Sequence, residues 1–246
     1  MKRNTAAILS MLGITAIVVA IIIGMFAVLQ TLPNFETLQR DSSWIVAVLV
    51  HVPQFLIPFA LIWWLSKGRL GAYGFNLKQK PPTFTHVRML GLGVIFGLIM
   101  SLKYISPILQ GAPLDIPQPV TTANVLGNLA FQWIVVGLSE ETMFRGLIQT
   151  HLMNNLEGSV RLLGHDLHVG TVIGAIVWGA FHFINALVMP MGSVVFYVVL
   201  TTFAGLLMGY AYQETGSLLT TIIVHNTMFG VPLTLGYLLH GLLYAA

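Results

Sequence analysis

The sequence predicts an all-α polytopic membrane protein with about eight transmembrane helices. Hydrophobic residues make up 56% of the 246-residue chain and charged residues only 8%, against about 25% in soluble domains. Apolar segments close to the length of about 20 residues that a helix needs to cross a bilayer recur along the chain. The absence of cysteine excludes disulfides, thiolate metal sites and cysteine nucleophiles. The formal charge of +3 comes from two short segments, so it concerns membrane orientation and argues against nucleic acid as a partner.

Three spans are predicted in the N-terminal part of the chain. They cover residues 5–29, 44–65 and 89–105. Residues 66–88 contain five basic and no acidic side chains, which the positive-inside rule places in the cytoplasm together with the N-terminus. His51 and Gln54, in the second span, are interpreted as residues that serve packing and not as ligands.

Five further spans are predicted after a loop that contains proline and glycine. They cover residues 125–153, 170–188, 193–212, a segment that starts at residue 217, and 233–244. Gly230 and Pro232 are expected to break the helix before the last segment. Residues 154–169 are expected to form a polar loop in which His165 and His168 are solvated. A count of eight places both termini in the cytoplasm.

The fourth span carries the charged sequence Glu140-Glu141-Thr-Met-Phe-Arg145. Ionisable groups inside a membrane helix are energetically unfavourable, so such a cluster indicates a functional site. Glu141 and Arg145 are four residues apart and share one helix face, where they can form an ion pair. Glu140 points about 100° away from that face and is therefore free to face a cavity. The alternative is a purely structural ion-pair cluster.

Two histidines in later spans, His182 and His225, are the predicted partners of Glu140. At about 1.5 Å per residue, Glu140 lies roughly 20 Å from the cytoplasmic end of its helix, His182 roughly 18 Å and His225 roughly 12 Å. The three groups approach from one side of the membrane to overlapping depths, and we therefore expect them to meet. The alternative for each histidine is a packing role.

This ordered set of residues resembles the CAAX protease and bacteriocin-processing family (Abi-type) of intramembrane proteases, which includes the Ras-converting CAAX endopeptidase. The resemblance covers residues 121–235. The first motif is matched by Glu140, Glu141 and Arg145, and the second by Trp178 and His182, with tryptophan where phenylalanine is more usual. His225 fits the histidine of the third motif.

The resemblance implies a protease core at residues 121–235 with a conical intramembrane cavity. Residues 1–120 then form three N-terminal helices with a basic cytoplasmic loop, and residues 236–246 form the end of the C-terminal helix. The implied activity is hydrolysis of a peptide or a membrane-anchored protein in the lipid bilayer of a bacterial cell. Glu140, helped by His182, would activate a water, and His225 with a nearby amide would stabilise the oxyanion.

The sequence departs from the family pattern at Phe229, where the third motif usually has asparagine or aspartate. Two amides remain as candidates for the missing donor. Asn226 directly follows His225 but points in another direction around the helix, whereas Asn185 shares the face of His182. This comparison favours Asn185.

Several alternatives remain open at this stage. Glu140, His182 and His225 form a possible three-ligand zinc site, but the zinc-protease signature His-Glu-x-x-His is absent and a metal-free mechanism is slightly favoured. The change at Phe229 also allows a non-catalytic protein that gives bacteriocin immunity or binds a peptide. A proton-coupled transporter is a further alternative, and no oligomeric state follows from the sequence.

Overall fold

A computed structural model describes residues 2–78, 82–117, 119–187 and 189–244 and confirms the all-α membrane fold. Within these ranges the α-helical segments are α1 (Lys2–Gln30), α2 (Phe35–Asp41), α3 (Ser43–Ser66), α4 (His86–Ser101), α5 (Ile105–Gln110), α6 (Thr122–Ala130), α7 (Val136–Glu141), α8 (Thr150–Asn155), α9 (Val169–Phe181), α10 (Met191–Thr215) and α11 (Leu218–Tyr244).

Six helical runs in the described part of the chain are long and apolar enough to cross a membrane. They are α1, α3, α4 with α5, α9 with the turn that follows it, α10 and α11. Large apolar side chains on their outer surfaces, such as Phe196 and Phe203, are exposed. In a bilayer such surfaces face lipid, and helices satisfy their own backbone hydrogen bonds there. The protein is therefore an integral membrane protein.

Residues 122–155 form one continuous helical run, which we call the site helix. It consists of α6, α7 and α8, joined by two π-helical segments, Phe131–Val135 and Thr142–Gln149. The hydroxyl of Thr121 caps its start by accepting a hydrogen bond from the Asn124 backbone N–H. Residues 139–150 are all buried, so this stretch lies at the centre of the bundle, against α3, α9 and α11.

Helix α3 lies beside the site helix and runs in the same direction. Near its start, the Trp44 indole Nε1 donates to Asn124 Oδ1 at 3.3 Å. Near its end, Ile62 fills the space beside Gly146. The middle of α3 is therefore level with the charged part of the site helix.

The predicted break at Gly230 and Pro232 is wrong, because α11 continues from Leu218 to Tyr244. Gly230 provides room for the Trp133 ring, which a side chain at this position would meet. The carbonyl of Pro232 accepts a hydrogen bond from the Tyr104 hydroxyl at 3.0 Å. Proline and glycine are tolerated in membrane helices when neighbouring helices pack against them in this way. The predicted count of eight spans treated the segments on either side of this break as two spans, but they form one helix. The predicted placement of both termini in the cytoplasm depends on that count.

The polar segment after the site helix is more ordered than the predicted loop. Strands β1 (Ser159–Leu162) and β2 (His165–His168) pair antiparallel in a short hairpin. His165 Nδ1 lies 3.0 Å from the Tyr210 hydroxyl, and His168 Nδ1 accepts a hydrogen bond from the Gly170 backbone N–H at the start of α9. Both histidines therefore have protein partners at the edge of the bundle.

Candidate active site

Glu141 is the centre of a buried ion-pair cluster. Its Oε1 accepts hydrogen bonds from Arg145 Nη1 at 3.0 Å and from His225 Nδ1 at 2.8 Å. The guanidinium of Arg145 also lies over the Trp178 ring, 4.2 Å from its centre. Glu141 is fully buried and Arg145 is 2% exposed. The spacing of four residues thus gives the predicted pair, and the cluster links the site helix to α9 and α11.

Glu140 points to a different set of partners. Its Oε2 accepts a hydrogen bond from Trp178 Nε1 at 2.7 Å and lies 4.0 Å from His225 Nε2. Its Oε1 lies 3.7 Å from His51 Nε2. Tryptophan at position 178 therefore has a role that phenylalanine could not fill, because its indole N–H holds one oxygen of the carboxylate. The other oxygen is left on the side of His51.

Each histidine near Glu140 turns its Nδ1 atom towards an acceptor oxygen of the protein. The Nδ1 atom of His51 contacts the Ala47 carbonyl at 2.8 Å, and that of His182 contacts the Trp178 carbonyl at 2.9 Å. A carbonyl oxygen only accepts, so each Nδ1 must carry the hydrogen. The same argument applies to His225, whose Nδ1 faces the Glu141 carboxylate. In each ring, Nε2 is the atom left for chemistry.

These side chains line one cavity of about 290 Å³. Its polar lining includes His51, Gln54, Gln132, Glu140, His182, Asn185 and His225. Apolar side chains, among them Phe131, Phe181 and Phe229, form much of the remaining wall. A mostly apolar cavity with a few convergent polar groups is typical of a substrate site.

His182 and Asn185 reach this cavity from a turn and not from an α-helix. Helix α9 ends at Phe181, and residues His182–Leu187 form a 3₁₀ helix. Because a 3₁₀ helix has three residues per turn, Asn185 lies directly above His182 on one face. The shared face was predicted from the sequence, although the helix type was not.

Asn226, the other candidate amide, is engaged elsewhere. Its Oδ1 accepts a hydrogen bond from the Gly137 backbone N–H at 2.9 Å, and its Nδ2 donates to the Trp133 carbonyl at 2.8 Å. Both backbone groups belong to the stretch where the site helix changes from π to α geometry. Asn226 therefore stabilises the irregular helix, and Phe229, whose ring packs 5.4 Å from that of His225, offers no polar atom.

The zinc-site alternative is not supported by the arrangement of possible ligands. In the described residues, no group of three or more His, Cys, Asp or Glu side chains is arranged to hold a metal ion. Glu140 and His225 approach each other, but the second contact of the carboxylate is with His51 and not with His182. The three proposed ligands therefore do not fit a metal site.

Sequence reasoning missed the contribution of α3. His51 and Gln54 were interpreted as packing residues, but both line the cavity and His51 contacts Glu140. A signal was present, because polar side chains one turn apart are unusual in an apolar span. His51 lies roughly 22 Å before the end of α3 at Ser66, a depth similar to the one expected for Glu140 from the end of its own helix.

The fold and this site define an integral membrane protein with a buried Glu–His centre that faces an intramembrane cavity. Residues 122–231 match the family model described as Rce1-like, type II CAAX prenyl endopeptidase Rce1-like. This match supports an assignment of the region to the CAAX protease family. The family is one of intramembrane endopeptidases, which implies a peptide substrate and a lipid bilayer as the environment. No curated protein and no solved structure matches the chain significantly.

Proposed function

We propose that this protein hydrolyses peptide bonds of membrane-associated or peptide substrates, with Glu140 as the general base. The observation that carries this proposal is the position of the Glu140 carboxylate. Trp178 holds Oε2 by a 2.7 Å hydrogen bond, while Oε1 lies on the cavity side near a histidine Nε2 atom. A carboxylate that is fixed at one oxygen and open at the other can accept a proton from a water in the cavity.

The first step joins this water to the scissile carbonyl carbon. Oε1 of Glu140 takes a proton from the water, the water oxygen bonds to the carbon, and the carbonyl electrons move onto its oxygen. His182 lines the same cavity with its Nε2 available, so it helps to hold the water. When the C–N bond breaks, the proton taken by Glu140 passes to the leaving amine.

His225 is proposed to stabilise the oxyanion, which requires its protonated form. Nδ1 is already committed to Glu141, so Nε2 can donate only when the ring carries both hydrogens. The ring lies next to the two carboxylates of Glu140 and Glu141 and the single guanidinium of Arg145, whose formal charges sum to −1.

The test is cleavage of an internally quenched peptide with a farnesylated CAAX terminus, alongside the same peptide without the lipid. The Glu140→Gln variant should lose at least the 10²–10⁴-fold that a positioned general base contributes. Glu157→Gln, which changes an exposed glutamate before β1, is the matched control and should retain full activity. Full activity of Glu140→Gln would refute the mechanism.

The same assay addresses the non-catalytic alternative, which the apolar Phe229 favours. A peptide-binding or immunity protein would bind the peptides without cleaving either of them. Cleavage by the wild type that is lost in Glu140→Gln would exclude this alternative. Cleavage of the farnesylated peptide alone would assign prenyl recognition to the cavity and its apolar surroundings.

A further inference from the structure

Gln54 is a buried amide with an unused hydrogen-bond donor. Its side chain is 1% exposed, it lines the cavity, and its Nε2 has no hydrogen-bond partner. Leaving a buried polar group unpaired costs about 1–3 kcal/mol. An unpaired amide in the wall of this cavity points to a ligand that accepts its hydrogen bond.

The position of Gln54 brings its amide close to the reacting groups. It follows His51 by three residues on α3, so the two side chains share a face. His51 Nε2 lies 3.7 Å from Glu140 Oε1. Because α3 runs beside the site helix from Trp44 at Asn124 to Ile62 at Gly146, residue 54 is level with the residues just before Glu140.

The proposed reaction needs a second hydrogen-bond donor for the oxyanion, beside His225. His225 gives one hydrogen bond to the oxyanion, Phe229 gives none, and both polar atoms of Asn226 are bonded to the site helix. Asn185 is half-buried in the 3₁₀ turn, so its amide can be solvated and needs no further partner. Gln132 Nε2 is also unpaired, but this residue is half-buried and lies in the π-helical segment Phe131–Val135. Gln54 is 1% exposed and lies on a long α-helix, which holds a donor in place better than a turn or an irregular segment does.

We propose that Gln54 is the second donor of the oxyanion hole and replaces the residue missing at Phe229. This inference rests on the proposed function. As the water attacks, the carbonyl oxygen gains the negative charge and accepts hydrogen bonds from Gln54 Nε2 and from protonated His225 Nε2. Both bonds persist until the C–N bond breaks and the carbonyl re-forms.

The variant Gln54→Met tests this role, because methionine has a similar length but no N–H group. Loss of an oxyanion donor lowers kcat by about 10²–10³-fold. KM should change little, since the interaction is made in the transition state. Removal of an unpaired buried amide should leave Tm unchanged or raise it. A residue needed for folding would instead lower Tm.

Three further variants complete the experiment. Gln110→Leu, at the exposed end of α5, should behave as wild type. Gln132→Met and Asn185→Ala probe the other amides of the cavity, and each should reduce kcat by much less than Gln54→Met does. A kcat for Gln54→Met within about threefold of wild type would overturn the inference, and so would a lower Tm or a larger effect at Gln132 or Asn185.

Failure of this inference can be told apart from failure of the proposed function. If Glu140→Gln is inactive while Gln54→Met is active, only the assignment of Gln54 is wrong. If Glu140→Gln cleaves as well as wild type, the glutamate mechanism fails whatever the result at Gln54.

Discussion

Glu140 and Glu141 are neighbours in sequence, but they lie in opposite surroundings. Glu141 is fully buried, and one of its oxygens is bonded to both Arg145 and His225. Glu140 faces a cavity, with one oxygen held by Trp178 and the other turned towards His51. Because environment and not residue type decides whether a carboxylate can exchange protons, we expect these two carboxylates to have different roles.

The largest expected effect is that of removing Arg145, the ion-pair partner of Glu141, on Tm and activity. Arg145→Ala leaves a fully buried carboxylate with one partner fewer, and breaking a buried pair in this way costs about 3–5 kcal/mol. We expect a clear fall in Tm in detergent together with loss of activity. Arg161→Ala, which removes an exposed arginine from β1, should change neither quantity. An unchanged Tm with lost activity would instead place Arg145 in contact with substrate.

A smaller effect is expected at His51, on the Glu140 side. His51 Nε2 and Glu140 Oε1 are 3.7 Å apart, a separation that a bridging water can span. If His51 positions this water, His51→Ala should lower kcat by roughly 10–100-fold, the equivalent of one hydrogen bond to a charged group at about 1.5–3 kcal/mol. KM and Tm should stay near wild type, and the pH profile of kcat should change.

The original interpretation of His51 as a packing residue predicts the opposite pattern for the same variant. A packing role would lower Tm and leave the pH profile unchanged. His165→Ala, in the hairpin and outside the lining of the cavity, is the matched control and should leave kcat and its pH profile as in wild type.

The smallest effect is expected from metal removal. Because the described residues do not offer a set of three ligands, activity should be unchanged after treatment with a strong chelator. Metal analysis of the purified protein should show well below one zinc per chain. If chelation abolished activity and added Zn²⁺ restored it, the metal-free mechanism would be refuted.

Much of the fold and part of the site follow from local sequence patterns. Apolar segments predict the spans, and the spacing of four residues predicts the contact of Glu141 with Arg145. Depth estimates predict that Glu140, His182 and His225 approach one another, and all three line one cavity. Their chemical roles remain predictions.

The features that were not predicted depend on contacts between helices. Pro232 lies within a continuous helix because Tyr104 and other neighbours pack around it, which no pattern in α11 reveals. The first π-helical segment of the site helix is bridged by Asn226, a residue 89 positions after the Gly137 N–H that it binds. The contact of His51 with Glu140 was not predicted, because His51 was considered only within its own span and not at its level relative to Glu140.

The central claim is that Glu140 carries the chemistry while Glu141 holds the structure. The direct test measures kcat and Tm of Glu140→Gln and Glu141→Gln side by side with the same peptide. Glu140→Gln should lose activity at a Tm close to wild type, because its indole and histidine contacts can be kept by an amide oxygen. Glu141→Gln should show a markedly lower Tm, because Arg145 loses its buried counter-charge. An active Glu140→Gln variant, or a Tm that falls at position 140 and not at 141, would contradict the account.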